Sequence, residues 1–258
     1  MITYKKKIRA DKLLVERGLI ENNSQARAFI MAGRVRLSNK LIDKPGRYLD
    51  INSPIQIIST PKYVSRGGNK LEAALKYFQI KLNEKAHALD IGASTGGFTD
   101  CLLQFGVKSV TCIDVGRGQL HNKLLKDSRV INFEKLNARM ISNFNLPFLQ
   151  YNIIVVDVSF ISLTKILSII WDRVEKKGIL IALIKPQFEA KKYEVDQGKG
   201  IIKDSKIQKR VIEIIKDFVN QKLRRSYVIG ILESPIKGSK GNSEFFIAIT
   251  TKKFYLIK

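Results

Sequence analysis

Downstream of residue 66, short apolar runs alternate with longer segments in which apolar residues recur every three or four positions. Seven runs have the length and the β-branched or aromatic content of strands: KAHALDIGA, KSVTCIDV, SRVINFE, YNIIVVDV, GILIALIK, RSYVIGILE and SEFFIAITT. Helical spacing fills most of the gaps, in LEAALKYF, FTDCLLQFG, LTKILSIIWDRVEK and KIQKRVIEIIKDFVNQKL. The alternation predicts an α/β fold with an open, mostly parallel, doubly wound sheet of seven strands.

The first sixty residues follow a different pattern, which predicts a small α+β unit. ADKLLVERGLI has helical spacing and is stopped by Gly18. Ser24 is a candidate N-cap for a second helix, QARAFIMA, which Gly33 ends. RVRLSNKLID then alternates as a strand does, with a Ser-Asn turn in the middle.

Net charge distinguishes this chain from an ordinary globular protein, although its hydrophobic fraction of 45% does not. There are 46 Lys and Arg residues against 23 Asp and Glu, a net charge of +23. A lysine-rich composition would explain the many lysines, but it would not explain the excess over acids. Because such a field attracts polyanions, the composition favours RNA or DNA as a partner.

Cysteine content and hydropathy indicate a soluble, cytoplasmic protein. Cys101 and Cys112 form neither a metal-binding pattern nor a disulfide framework, so no metal is expected. No apolar run approaches the roughly 18–20 residues of a membrane helix. The basic N-terminus lacks the apolar core of a signal peptide. We therefore expect no stable membrane insertion.

The turn after the first strand of the larger domain, in ALDIGASTGGFTDCLL, indicates a cofactor site. Glycines there let the backbone approach a ligand, and a helix N-terminus offers unpaired N–H groups, although a purely structural tight turn is an alternative. Asp114 ends the second strand, where an acid can bind two ribose hydroxyls. G-A-S-T-G-G departs from the G-x-G-x-x-G of pyrophosphate-binding loops, which favours S-adenosylmethionine (SAM), an adenosine ligand without phosphates. The predicted cofactor residues are Asp90, Gly92, Ser94, Gly96, Gly97, Asp114, Asn137 and Asp157.

Four charged residues lie at strand ends or turns, where doubly wound sheets bind their ligands. Asp157 ends the fourth strand, Lys185 follows the apolar run ILIALI, Glu244 opens the last strand, and Lys70 begins a helix after a Gly-Gly turn. Taken singly, a charged residue is usually an ordinary surface residue. Lys185 is the exception, because a partly desolvated lysine can lose its proton and act as a base.

In order and context, these four residues resemble the Lys-Asp-Lys-Glu tetrad of FtsJ-type RNA 2′-O-methyltransferases. The N-terminal pattern R-x-D-K-L-L…S-Q-A-R-A-F-I-M-A-G-R-V-R-L resembles the alpha-L RNA-binding domain. Together with S-R-G-G-x-K-L, D-V-G-x-G-Q-L, D-V-S-F-I-S-L and K-P-Q-F-E, these motifs make the chain look like a member of the TlyA family from about Arg9 to Thr250. Tyr63 stands where that family usually carries Trp.

The resemblance implies a SAM-dependent methyltransferase that acts on the 2′-hydroxyl of cytidines in 16S rRNA, 23S rRNA or both, with rRNA and ribosomal subunits as partners. It implies a Rossmann-like class I methyltransferase fold, with an alpha-L domain over 1–59, a linker over 60–66 and the methyltransferase domain over 67–258. In the implied mechanism Lys185 either deprotonates the hydroxyl or stabilises the alkoxide, and Asp157 orients Lys185 and the sulfonium. Glu244 and Lys70 form a second charged pair that fixes Lys185 and the ribose. The predicted RNA-binding residues are Arg9, Lys12, Arg27, Arg34, Arg36 and Arg66.

Three other functions are alternatives at the level of sequence. Base N-methyltransferases usually show N/D-P-P-Y/F where this chain has Asp157-Val-Ser-Phe160, and cytosine-C5 enzymes need a cysteine nucleophile, whereas both cysteines fit a core. A non-catalytic RNA-binding or ribosome-assembly factor would differ in not binding SAM. A membrane-active haemolysin, a name often given to this family, would need a spanning segment that the sequence lacks.

Overall fold

The computed structural model describes residues 7–31, 33–58, 61–238 and 240–252, and the chain divides into two units, Met1–Pro61 and Lys62–Lys258. The predicted domain boundary at residue 59 and the first predicted linker residue, 60, lie outside the described residues. Tyr63, which the sequence assigned to the linker, is 1% exposed in the core of the second unit. Its hydroxyl donates a hydrogen bond to Glu72 over 3.1 Å.

In the first unit two helices and short antiparallel strands enclose a small apolar core that includes Leu13, Leu14 and Ile30. The predicted helices and the turn are confirmed, and Ser38 in that turn has a φ of +53°. The predicted N-cap is wrong: Asn22 accepts from the Gln25 N–H (2.9 Å), so Ser24 lies inside the helix. The elements are β1 (Lys7–Arg9), α1 (Ala10–Glu16), α2 (Asn23–Met31), β2 (Val35–Leu37), β3 (Lys40–Leu41), β4 (Tyr48–Asp50) and β5 (Ile55–Ile57), with β1 paired to β4 and a sheet of order β3-β2-β5.

The second unit contains one seven-stranded sheet, and each of the seven predicted strands is present. Its order is β11-β12-β10-β9-β6-β7-β8, in which β12 runs antiparallel to β10 and β11 and the other pairs are parallel. The predicted open, mostly parallel sheet is thus confirmed. The strands are β6 (His87–Ile91), β7 (Ser109–Ile113), β8 (Val130–Phe133), β9 (Tyr151–Val156), β10 (Val174–Ile184), β11 (Tyr227–Glu233) and β12 (Phe245–Thr250).

Helices of the second unit differ from the sequence prediction at two places. LTKILSIIWDRVEK was predicted as one helix, but the helical part ends at Trp171 and Val174 already belongs to β10. The helix that was predicted to begin at Lys70 begins at Arg66, so Lys70 lies in its second turn. The helices are α3 (Arg66–Tyr77), α4 (Gly97–Gln104), α5 (Asn122–Leu125), α6 (Leu167–Trp171), α7 (Pro186–Glu189), α8 (Lys192–Gln197) and α9 (Ser205–Lys222).

Gly67 and Gly68 therefore form the first turn of α3 and not a turn before it. A Cβ on Gly68 would overlap the ring of Tyr63, whereas a Cβ on Gly67 would only touch Ser65 Oγ at 3.4 Å. The second glycine is thus required for the close approach of the helix to Tyr63. None of the helices among the described residues combines the length and apolar character needed to cross a membrane.

The sheet separates two apolar cores because neighbouring residues of a strand point to opposite faces. In β9, for example, Ile153 and Val155 pack with α3 and α4 on one face, while Ile154 and Val156 pack with α6 and α9 on the other. Burial on both faces explains why the central strands read as continuous apolar runs. The two layers leave the ends of the strands as the place for a site.

Candidate functional site

Four charged side chains from distant parts of the chain meet at the carboxyl edge of the sheet. Asp157 follows β9 and Lys185 follows β10, two adjacent parallel strands. Because β12 is antiparallel to β10 and pairs Phe245 with Ile184, the residue before it, Glu244, comes to the same edge. All of these and Lys70 line a cavity of about 380 Å³. The predicted grouping of the four residues is thus present in space.

The four side chains form two ion pairs. Lys70 Nζ lies 2.6 Å from Glu244 Oε2, with the two side chains 12% and 4% exposed. Lys185 Nζ lies 2.6 Å from Asp157 Oδ1, but its well-aligned hydrogen bond goes to Ser159 Oγ at 3.0 Å. Charge-assisted contacts of this length fix side-chain position. Lys185 is therefore held at the cavity wall by two neighbouring side chains, and its own side chain is only 11% exposed.

A second cavity, of about 320 Å³, lies beyond the ends of β6, β7 and β9. It shares Gly92, Ser94, Asp157 and Ser159 with the first cavity, which we call the tetrad cavity after the four charged residues that line it. The two cavities therefore adjoin. Its other walls combine apolar side chains with Asp114 and Asn137. This volume and this mixture of apolar walls with a few polar groups are those of a small-molecule site. An adenosine ligand such as SAM fits it, since apolar walls suit a base and Asp114 suits ribose hydroxyls.

Asp114 and Asn137 also hold their own surroundings in place. Asp114 accepts from the backbone N–H of Ser94 (2.8 Å) and of Gly116 (2.7 Å), which ties the glycine-rich loop to the end of β7. Asn137 accepts from the Arg139 N–H (3.1 Å) and caps a short 3₁₀ turn. Both residues line the second cavity, as the sequence predicted for cofactor residues.

The three predicted glycines of the loop are each required for close packing of the protein. A Cβ on Gly92 would overlap the carbonyl of Asp157, and one on Gly96, which has a φ of +89°, would overlap Leu124. Gly97 faces the first turn of α3, where a Cβ would overlap Ser65 Oγ. Gly92 lines both cavities and Gly97 lines the tetrad cavity, whereas Gly96, which was also predicted as a cofactor residue, lines neither.

Asp90, which was also predicted as a cofactor residue, lines neither cavity. It is fully buried and accepts from the Thr99 hydroxyl over 2.6 Å, on the face of β6 that packs against α4. Because side chains alternate between the two faces along a strand, the Asp90 side chain points to the face of β6 that packs against α4 and not to the cavity beyond the strand end. Burial raises the pKa of Asp90 to about 7, because the carboxylate loses its hydration.

Both cysteines lie in the core, as predicted. Burial raises the pKa of Cys101 to about 12 and raises the pKa of Cys112 further, since a thiolate is disfavoured without water or a cation. Neither thiol is therefore suited to attack a base. Among the residues that the structure describes, no group of three or more His, Cys, Asp or Glu side chains could hold a metal ion.

The predicted RNA-binding cations differ in whether their side chains already form contacts within the protein. Arg9 and Arg27 both pair with the buried carboxylate of Asp11, at 2.7 Å and 3.2 Å, which holds the pKa of Asp11 down at about 2. Arg34 stacks 4.1 Å from the ring centroid of Phe29. The remaining three, Lys12, Arg36 and Arg66, are exposed.

Sequence reasoning missed three residues around the site: Ser159, Phe160 and Gln187. Phe160 is 90% exposed, has a φ of +64° and lies 5.1 Å from Phe188 between ring centroids. A bulky residue in the left-handed region is uncommon and is often functional. The only sequence signal was their position within the D-V-S-F and K-P-Q-F motifs, since neither exposure nor φ is visible in a sequence.

Comparisons with known proteins agree with this geometry. Residues 63–251 match the FtsJ-like methyltransferase family and residues 8–53 match the S4 domain. A Bacillus subtilis protein with the provisional name rRNA methyltransferase YqxC is 41% identical over 244 residues, covering 94% of this chain and 85% of that protein. The 16S/23S rRNA (cytidine-2'-O)-methyltransferase TlyA of Mycobacterium tuberculosis is 34% identical over 249 residues, with coverages of 96% and 91%. A solved structure from Streptococcus thermophilus, provisionally named a hemolysin, has a TM-score of 0.70 and 38% identity, covering 97% of this chain and 90% of that one.

Proposed function

Because the chain belongs to the FtsJ-like methyltransferase family and has the two-domain architecture of the TlyA family, we propose that it methylates the 2′-hydroxyl of cytidines in 16S or 23S rRNA. SAM is the methyl donor. The observation that carries the proposal is the convergence of Lys70, Asp157, Lys185 and Glu244 in a cavity that adjoins a cofactor-sized one. We expect the reaction to take place in the cytoplasm, because its substrate is rRNA.

The cofactor is held by residues of the second cavity. Asp114 would bind the ribose hydroxyls of SAM, and Asn137 the adenine edge, while Gly92 and Ser94 lie where the second cavity meets the first. SAM supplies a methyl group that its sulfonium activates for in-line attack. Asp157 lines both cavities. Its carboxylate can therefore contact Lys185 and also the positive sulfonium of SAM bound in the second cavity.

Lys185 performs the proton transfer in this proposal. A ribose hydroxyl is a weak acid, so attack on a methyl group needs a group at hydrogen-bonding distance that accepts its proton. Ser159 and Asp157 fix Lys185 Nζ, and all three residues line the tetrad cavity. After losing its own proton, Nζ would take the hydroxyl proton as the C–O bond forms and the methyl–sulfur bond of SAM breaks, which would leave S-adenosylhomocysteine, and Nζ would later pass the proton to water.

Lys70 and Glu244 position the ribose. Their ion pair is nearly buried, which favours one fixed arrangement of the two side chains over many. Fixed donors and acceptors at a reacting centre lower the entropy cost of bringing hydroxyl and methyl group into line. We expect the S4 domain to bind the rRNA through phosphate contacts of its exposed cations, as is usual for structured RNA.

The test is to map 2′-O-methylation across rRNA from cells with the gene, without it, and with a Lys185→Ala copy. We expect one or more cytidine methylations that require the gene and that the Lys185→Ala copy does not restore. A Lys191→Ala copy is the matched control, because Lys191 is an exposed lysine on the same stretch of chain and lines neither cavity. An unchanged 2′-O-methylation map after gene deletion would contradict the proposal.

A further inference from the structure

Two segments leave the sheet side by side and carry the residues of the proposed proton transfer. The segment after β9 contains Asp157 and Ser159, and the segment after β10 contains Lys185. The pairing of the two strands ends at Val156 and Ala182. Beyond that point the contact of Lys185 with Ser159 depends on what else holds the two segments together.

Glu189, at the end of α7, forms a second connection between these segments. Its Oε2 accepts a hydrogen bond from the Ser162 hydroxyl (2.6 Å), and its Oε1 accepts one from the Leu163 N–H (2.7 Å). Both carboxylate oxygens thus bind the segment after β9. Glu189 lines neither the tetrad cavity nor the second cavity, so it does not contact the reactants of the proposed reaction. The mechanism described above gives it no role.

The segment after β9 needs such a connection because its backbone is strained. Phe160 has a φ of +64°, in the left-handed region that bulky residues rarely adopt. A backbone conformation of this kind costs about 1–3 kcal/mol and persists only where the surrounding structure holds it. The Phe160 side chain is 90% exposed, so packing around it does little to hold the segment. The bonds to Glu189 follow Phe160 closely along the chain, and Ser159, the partner of Lys185, directly precedes it.

We propose that Glu189 is a positioning residue for methyl transfer, which fixes Ser159 and, through Ser159, the amine of Lys185. This inference rests on the proposed function and adds to it a residue that acts outside the reacting groups. The donors to Glu189 are an uncharged hydroxyl and an uncharged N–H, so the role requires an acceptor oxygen and not a negative charge. Burial raises the pKa of Glu189, which agrees with surroundings that do not favour the charge. Glutamine should therefore replace glutamate here, whereas alanine should not.

The first measurements are kcat and KM for methyl transfer to rRNA by full-length Glu189→Ala and Glu189→Gln, with SAM affinity by calorimetry. We expect Glu189→Ala to lower kcat about 10- to 100-fold, because a displacement of about 1 Å at a reacting group can cost that much. KM for rRNA and the SAM affinity should stay within about threefold, since Glu189 contacts neither ligand. Glu189→Gln should keep kcat within about threefold, because its oxygen can accept from the Leu163 N–H while the Ser162 hydroxyl donates to Thr164 Oγ1 (2.8 Å).

A second set of measurements separates positioning from a general loss of stability. In a Ser159→Ala background, Glu189→Ala should lower kcat by less than about threefold, because the residue through which it acts is already changed. Hydrogen exchange at the Leu163 N–H should become faster in Glu189→Ala, a result that needs no methylation assay. Glu194→Ala is the matched control, because Glu194 is a buried acid of the next helix that accepts from a backbone N–H (2.9 Å) and lines neither cavity. It should leave kcat within about threefold of wild type.

A wild-type kcat or an unchanged exchange rate at Leu163 in Glu189→Ala would overturn the inference. A loss that Glu189→Gln repeats in full, or that adds in full to the loss in Ser159→Ala, would also overturn it. If Glu189→Ala does not fold, Ser162→Ala removes one of the two bonds and must lower kcat at least about threefold for the inference to stand. Each of these failures leaves the proposed function intact, provided that the wild-type protein methylates rRNA. A wild-type protein that methylates no rRNA 2′-hydroxyl would overturn both.

Discussion

At the scale of single residues, Lys185 can act in two ways, as a proton acceptor or as a fixed positive charge, and the charge pattern of the sequence does not distinguish them. A proton acceptor must lose its own proton, whereas a group that only stabilises negative charge can remain a cation. Arginine keeps the charge and gives up the proton-accepting role, because its guanidinium does not deprotonate in proteins. Lys185→Arg should therefore lower kcat by about 10²-fold or more, nearly as much as Lys185→Ala. Single-turnover methyl transfer on rRNA measures this effect.

SAM affinity is the internal control for that result, since Lys185 does not line the cofactor cavity and both variants should bind SAM within about threefold of wild type. Retention of most of the activity by Lys185→Arg would show that the residue acts through its positive charge. The assignment of proton transfer to Lys185 would then be wrong, although the site would stand.

Asp90 makes a prediction about pH and stability. Its pKa is about 7 in the folded protein and about 4 in an unfolded chain. Between these values the folded protein keeps a proton that the unfolded chain has lost, so the free energy of unfolding falls as pH rises. Asp90→Asn removes this fall in the free energy of unfolding, because an asparagine side chain does not titrate. The difference in unfolding free energy, variant minus wild type, should grow between pH 5 and about pH 7 by about 1.4 kcal/mol per pH unit.

Urea unfolding at several pH values between 5 and 8 measures that difference. Asp127→Asn is a suitable control, because Arg129 lowers the pKa of Asp127 and its titration is complete below pH 5. A difference for Asp90→Asn that stays constant across this range would contradict the raised pKa. The result bears on the buried side of β6 and not on cofactor contact.

At the scale of elements, the two glycines that open α3 provide a matched pair. Both are helical, so replacement by alanine would by itself stabilise the helix by up to about 1 kcal/mol. At Gly67 the new methyl group meets only ordinary contacts, at 3.4 Å from Ser65 Oγ and 3.5 Å from Phe98. At Gly68 it would overlap the buried ring of Tyr63. Gly67→Ala should be neutral or stabilising, while Gly68→Ala should cost about 1–3 kcal/mol.

Thermal or urea unfolding of the two variants compares them directly. Equal stabilities would mean that Tyr63 moves aside without cost, and that the segment before α3 is not packed as the structure indicates. The comparison needs no activity assay, which is useful because Gly67 lines the tetrad cavity.

Periodicity predicted the elements that are buried on one or two faces, and it failed where tertiary contacts set the boundaries. Strand β9 and the long helix α9 have strong apolar patterns, so their positions follow from the sequence. The start of α3 at Arg66 does not, because two glycines usually break a helix, and the need for one of them, Gly68, follows only from its contact with Tyr63. Short β1, β4 and β5 were also missed, since three-residue strands carry too little pattern.

The candidate site, like the fold, could be predicted from the sequence only in part. Lys185 and Asp157 could be placed together because adjacent parallel strands end at one edge. Joining Glu244 to them by physics alone requires knowing that β12 is antiparallel, and the resemblance to a known tetrad supplied what periodicity could not. Ser159 and Gln187 became visible only through a hydrogen bond and an unpaired buried oxygen, neither of which leaves a sequence pattern.

At the scale of the whole molecule, the charge of +23 is distributed over both units and not confined to the S4 domain. Exposed cations lie on the walls of three cavities at this end of the sheet: Arg66 on the tetrad cavity, Lys240 on an adjoining cavity of about 400 Å³, and Arg139, Lys165 and Lys192 on a wider one of about 940 Å³. A polyanion that enters the active site thus meets positive charge next to each opening. Within the S4 domain, two of the predicted cations share the carboxylate of Asp11, whereas Arg36 is exposed and forms no ion pair with a described residue.

Salt dependence of rRNA binding follows from this distribution. Each cation that contacts a phosphate releases condensed counterions, so the logarithm of the binding constant should fall linearly with the logarithm of salt concentration. Arg36→Ala should weaken binding and reduce the magnitude of that slope by about 1. Lys176→Ala, at the amino end of β10 and so opposite to the site, should leave the slope unchanged. Filter binding between about 50 and 200 mM salt resolves such a difference. Equal slopes for Arg36→Ala and Lys176→Ala would mean that Arg36 does not contact phosphate, and that the S4 domain binds rRNA through other residues.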